Sequence, residues 1–246
     1  MPLLTQASTL AWTQGLLAIG LLIQTAELWR TRHLYGADGA LAGPSVAPGL
    51  GLRFALTIAL APLAFRPPSW LAFSVHALLL ANSAWLTIRS RGPVCGGSDS
   101  MWFQVQLGLT IANLPSVGPL GGKLGLAFIA AQSVLSYVLA GISKMRNPRW
   151  WNGGTVQSLF ASDGPYVLLA SLRTFAQRPL LCQGLGLAVM VLQVGVAAVL
   201  FLPAELRWPV VAGVAVFHLF NAVALGLNRF VWAWFATYPA LLVVGS

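Results

Sequence analysis

Six side chains have the types and spacing for chemistry in a chain that otherwise offers little of it: Lys144, Tyr137, Gln132, His218, Asn221 and Asp99. Lys144, one of only two lysines, closes an apolar run in "LAGISKMRNPRWWNGG". Before it, Gln132, Ser136 and Ala140 recur at four-residue intervals. Tyr137 lies seven residues before the lysine, and Ser133 four before Tyr137. At 3.6 residues per turn these positions share one broad helix face, while Leu135, Leu139 and Ile142 fall off it. A hydroxyl- and amide-bearing face of this kind predicts a helix turned toward an internal cavity.

Two readings of Lys144 stay open on this pattern. Its stem can lie along the helix while the ammonium reaches the headgroups, with Arg146, Arg149, Trp150 and Trp151 as further interfacial anchors. Alternatively it is a partly desolvated amine that sheds its proton and acts as a general base. In "VFHLFNAVALGLNRF", His218 and Asn221 stand three apart on one helix face. Spacing alone suits a bond to a neighbouring helix as well as a place in a cavity. Asp99, in "CGGSDSMWF", caps a helix start or sits at a wet cavity mouth. His76 reads as structural, and Gln104, Gln106 and Gln193 as interhelix hydrogen-bonding groups. No His, Cys or acid spacing suits a metal, and neither a phosphate loop nor a serine elbow is present.

The elements that must position these groups are membrane helices. Of 246 residues, 57% are hydrophobic and only 8% charged, against about a quarter charged in an ordinary soluble domain. Apolar runs predict spans near Leu10–Leu28, Leu50–Phe65, Trp70–Ile88, Met101–Leu114, Leu124–Lys144, Leu180–Leu202, Trp208–Leu225 and Phe230–Val244. The expected fold is an all-α polytopic transmembrane helical bundle of about eight spans, one unit over 1–246, with no soluble domain. The first run lacks a basic leader and reads as a retained span. A net charge of +9 then reports arginines near lipid headgroups, and nucleic acid is not an expected partner. Cys95 and Cys182 read as two unrelated thiols. Ten basic residues, Arg53 among them, are assigned to one set of alternate loops. Three, Arg207 among them, are assigned to the other set. The positive-inside rule accordingly puts the Lys144 end in the cytoplasm.

Two stretches carry a family resemblance. "YVLAGISKMRNPRWWNGG" resembles a tyrosine followed by Ala-Gly-x-x-Lys, tryptophan and glycine. "FHLFNAVALGLNRFVWAWFATYP" resembles Phe-His, an asparagine three on and a downstream proline. "LYGADGALAGPS" and "CGGSDSMWFQ" are similar to less specific stretches of the same family. That family is the horizontally transferred transmembrane (HTTM) family, the membrane part of vitamin K-dependent gamma-carboxylase. Its short bacterial members resemble maturation proteins of sporulation-delaying peptide toxins. The resemblance runs in order from about Leu10 to Leu242 and implies a single HTTM-like domain. It implies that Lys144 deprotonates a vitamin K-like hydroquinone, after which oxygen adds and a strong base attacks a peptide substrate. His218 and Asn221 would line that cavity; Tyr137 and Gln132, from the polar-face spacing, and Asp99, from its place at a helix start, are further cavity-lining candidates. It also implies a peptide substrate, a second maturation protein and residence in the bacterial inner membrane. The family's further histidine has no counterpart here, where Asp99 stands, and its lysine opens outward. The alternative is a non-catalytic membrane scaffold, chaperone or small permease.

Overall fold

The computed structural model describes residues 5–34, 45–63, 69–90, 97–162 and 171–244. Among them there is no strand, and five helices are long and apolar enough to cross a membrane: Gln6–Arg30, Trp70–Arg89, Pro119–Met145, Pro179–Leu200 and Ala204–Leu225. The chain is an all-α protein of the integral membrane kind. Three expected spans are shorter. The run at Leu50–Phe65 becomes a 14-residue helix, Ala47–Leu60, with a 3-10 turn to Leu63. The run at Met101–Leu114 becomes the 16-residue helix Gly97–Ala112. At 1.5 Å per residue these measure about 21 and 24 Å, below the roughly 30 Å hydrocarbon layer. The run at Phe230–Val244 breaks into Asn228–Phe235 and Tyr238–Val243, with Pro239 in the first turn of the second piece. Hydropathy sums over such a break, because a proline costs a backbone donor without lowering apolar content.

Two compact units divide the chain. The first comprises 1–130 and 232–244, the second 131–231 and 245–246. In the first unit, α1 (Gln6–Arg30), α2 (Ala47–Leu60), α3 (Trp70–Ser90) and α4 (Gly97–Ala112) form a bundle in which each helix packs on the next and α4 returns to α1. Thr5 starts α1 by accepting from the Ser8 amide. Leu17, Leu21, Leu50, Leu60, Leu79, Val105 and Leu109 are fully enclosed. Close approach of α1 to its neighbours depends on Gly20, where a Cβ would strike the Trp102 indole and lie 2.7 Å from Trp232 Cβ. Small residues serve this purpose between membrane helices. The first part of α5 (Pro119–Met145) belongs here, as does α12 (Tyr238–Val243), which packs on α1.

The second unit holds the rest of α5, then α6 (Pro148–Trp151), α7 (Gly154–Ala161), α8 (Ser171–Ala176), α9 (Pro179–Gly195), α10 (Ala204–Leu225) and the start of α11 (Asn228–Phe235). Prolines open α6 and α9 at a position where a missing N–H costs nothing. Gly226, at φ 68°, ends α10 in the left-handed conformation that glycine adopts freely. Val156, Phe160, Leu172, Ala176, Cys182, Ala224 and Leu225 form a core beside Trp150 and Phe175.

Two arginines assigned to loops are buried instead. Arg53 lies inside α2 and is only 5% exposed; Arg207 lies in the start of α10, equally buried, donating from Nε to the Leu202 carbonyl at 3.0 Å. Removing them from the expected loop assignment changes its count from ten against three to nine against two. Arg66, Arg91, Cys95, the stretch 35–44 and Asp163-Gly164-Pro165 lie outside the described residues. Cys182 is a free, buried thiol donating to the Phe175 carbonyl at 3.5 Å.

Candidate functional site

The polar face of α5 and the histidine stretch of α10 meet in the second unit. Tyr137 Oη and His218 Nε2 are 2.8 Å apart, with the two residues 2% and 3% exposed. Their ring centroids are 5.8 Å apart at an interplanar angle of 58°, and Phe217 packs edge-on against the imidazole at 5.1 Å. A phenol and an imidazole both carry a donor and an acceptor, so a proton can occupy either side of this bond. Burial makes the bond stiff, because neither group can turn to water without leaving the other unsatisfied in an apolar interior.

Lys144 lies seven residues beyond Tyr137, two turns or about 10 Å along α5. It is half-buried in the last turn, where a cation favours the carboxyl end of the helix dipole. Its Nζ donates to the Ala140 carbonyl at 3.4 Å and sits 5.1 Å from the centroid of the Trp150 ring. Asn147 caps α6 by accepting from the Arg149 amide at 3.0 Å, and the Trp151 indole donates to the Met145 carbonyl at 2.7 Å. These caps fix the turn that brings Trp150 back over the lysine. The ammonium is thus held by one carbonyl and one aromatic face, a setting that gives about 0.5–2 kcal/mol from the cation–π contact.

Asn221 is half-buried one turn beyond His218, and its backbone carbonyl accepts from the Leu227 amide at 3.3 Å. Gln132 is half-buried on the same helix as Tyr137. Ser133, four residues before Tyr137 as the spacing required, is fully buried. Asp99 belongs to the first unit, in the first turn of α4, where Gln24 Nε2 donates to its Oδ1.

That bond opens a buried polar ladder the sequence reading missed. Gln24 Oε1 accepts from Arg53 Nη1 at 2.9 Å. Arg53 Nη2 donates to Ser83 Oγ at 3.3 Å, and Ser83 Oγ donates to Gln106 Oε1 at 2.8 Å. Four helices, α1 to α4, each supply a member. Gln106 does provide the interhelix bond expected of it. A signal for the rest was present: Arg53 interrupts "GLGLRFALTIAL", and an ionisable residue inside an apolar run marks a polar interior. Its place near the start of the run disguised it as an interfacial charge.

A hydroquinone, which the resemblance implies, needs groups that bond phenolic hydroxyls. Tyr137 and His218 have that chemistry, but each is enclosed and already bonded to the other, so they would hold such a group only after their mutual bond opens. Among the described residues no cluster of three or more His, Cys, Asp or Glu could hold a metal ion. No family model, curated protein or solved structure matches this chain.

Proposed function

We propose that the chain is a multi-pass enzyme of the bacterial inner membrane that modifies or matures a peptide together with a second protein, in the manner of the gamma-carboxylase-like HTTM family. The observation that carries this reading is the buried Tyr137–His218 hydrogen bond. It joins the two stretches on which the family resemblance rests. The phenol–imidazole pair holds a proton between Tyr137 Oη and His218 Nε2, and Lys144, on the same helix, supplies the base. Asn221 and Gln132 offer amides to a peptide backbone. A hydroquinone, when bound, supplies the reducing equivalents that convert oxygen into a strong base. Eight crossings require α2, α4 and the α11–α12 pair to span a locally thinned bilayer.

Replacing Lys144 by Arg tests the proposal. Arginine anchors at an interface and stacks on an indole as lysine does, but it does not lose its proton. Mass spectrometry of a peptide encoded beside the gene, co-expressed with the protein, should show a shift of one carboxyl group with the wild type and none with Lys144→Arg. Full modification by that variant overturns the base role. A second reading, a scaffold, chaperone or small permease, is favoured by the geometry of Lys144 itself. An amine on its own helix carbonyl and a neighbouring indole is what an interfacial anchor makes. In that case Lys144→Ala lowers membrane accumulation together with function.

A further inference from the structure

One wall of a cavity of about 1180 Å³ in the first unit is the N-terminal part of α1. The end of α2 and the turn from α4 into α5, Pro115–Val117, complete it. Gln6 and Leu22, sixteen residues apart on α1, both line the cavity, so it runs about 24 Å along the helix. That is longer than one hydrocarbon leaflet, about 15 Å, and the volume exceeds the roughly 300–1,000 Å³ of pockets for drug-sized molecules. Small residues open the space: Ala7, Ala11, Gly15 and Ala18 recur along this face, and a Cβ added at Gly15 meets no atom within 4 Å. Trp12, Ile19 and Ile58 line the cavity and are also exposed, so it opens sideways toward lipid tails.

Its chemistry is graded from end to end. Gln6, Ser8 and Asn113 lie where α1 begins and α4 turns into α5; Ala18, Ile19, Leu22 and Ile58 form the far end. The polar end is drawn together by Gln6 Nε2 donating to the Pro119 carbonyl at 3.0 Å, while Gly121 sets the start of α5 against the Ile111 and Ala112 carbonyls. Asn113 Nδ2 donates to the Leu109 carbonyl at 2.8 Å, and Gln14 Nε2, midway along, to the Leu60 carbonyl at 3.1 Å. The Ser8 and Thr57 hydroxyls donate to the Thr5 and Arg53 carbonyls at 2.9 and 2.7 Å. Bonds to backbone thus fix every polar side chain in the lining, and what the hydroxyls and the anchored amides present to a ligand is chiefly oxygen acceptors. No charged side chain among the described residues lines the cavity, so an ionised phosphate or carboxylate would be buried there without a counter-charge. A partner helix, whose backbone satisfies itself, would set an apolar face against the amides at the polar end. We propose that this cavity binds an uncharged glycerolipid of the diacylglycerol class. Its hydroxyl donates to the amide oxygens at the Gln6–Asn113 end, and its acyl chains lie along Ala11–Leu22. The lining belongs wholly to the first unit, and the site does not depend on Lys144 or on the proposed peptide chemistry.

The test uses the full chain in phosphatidylcholine nanodiscs carrying, in turn, three photoactivatable lipids with the same diazirine-bearing acyl chain: a diacylglycerol, a phosphatidylcholine and a phosphatidic acid. Peptide mass spectrometry locates the cross-links. The expected result is labelling of the α1 and α2 lining by the diacylglycerol severalfold above either phospholipid, and its loss on adding unlabelled diacylglycerol. Gly15→Leu, which fills open space, should lower that labelling severalfold without changing the thermal unfolding midpoint. Equal labelling by all three lipids means ordinary annular contact and overturns the proposal. So does exclusion of all three with cross-links between copies along α1, which would put a second chain in the groove. Undiminished labelling in Gly15→Leu also overturns it, and should that variant not accumulate, the comparison of three lipids on the wild type decides alone.

Discussion

Replacing Arg53 by Met probes the ladder that spans α1 to α4. The guanidinium is almost wholly enclosed and donates to Gln24 and Ser83. Methionine keeps much of the apolar stem but removes both bonds and the charge. A hydrogen bond to a charged group is worth about 1.5–3 kcal/mol in soluble proteins, so two give about 3–6. Interhelical polar contacts in a bilayer average nearer 0.6 kcal/mol, because the unfolded helices also find partners, which sets a floor of about 1.2 for the two. About 3 kcal/mol, above this floor and at the lower end of the soluble-protein range, is the expected loss, roughly a hundredfold in the folding equilibrium. Arg53→Lys keeps the charge but not the fork that reaches both partners, and should lose about half as much. Reversible unfolding in mixed detergent and dodecyl sulfate micelles, followed by tryptophan fluorescence, measures both. An Arg53→Met variant within about 0.5 kcal/mol of the wild type would refute the reasoning, since the ladder would then contribute no more than an ordinary surface substitution.

Tyr137→Phe deletes the phenol that His218 Nε2 engages, and should destabilise the protein by about 1–3 kcal/mol in the same assay. A neutral result would mean that the imidazole does not depend on this partner. Gly20→Ala puts a methyl group into the Trp102 indole and beside Trp232, and should cost about 1–3 kcal/mol by overpacking. Gly15→Ala, where no atom lies within 4 Å of the added Cβ, should be neutral or stabilise by up to about 1 kcal/mol. Equal effects at the two positions would show that helix propensity, not close packing on α1, sets the response.

Sequence alone settled the solvent. Long apolar runs with few charges dictate helices, because backbone groups in lipid must be satisfied within the segment, and this holds whatever the helices pack against. Four-residue spacing also placed Ser133, Tyr137 and Lys144 on one side of α5, a property of a single helix. Tertiary structure decided which helix each face meets. That Tyr137 pairs with His218, eighty-one residues away, and that Asp99 instead joins Gln24 in the first unit, depends on packing that no local period encodes. The same cause hid Arg53. A charge six residues into an apolar helix looks the same in sequence whether it snorkels to headgroups or turns inward, and only the neighbouring Gln24 and Ser83 make the inward choice the cheaper one.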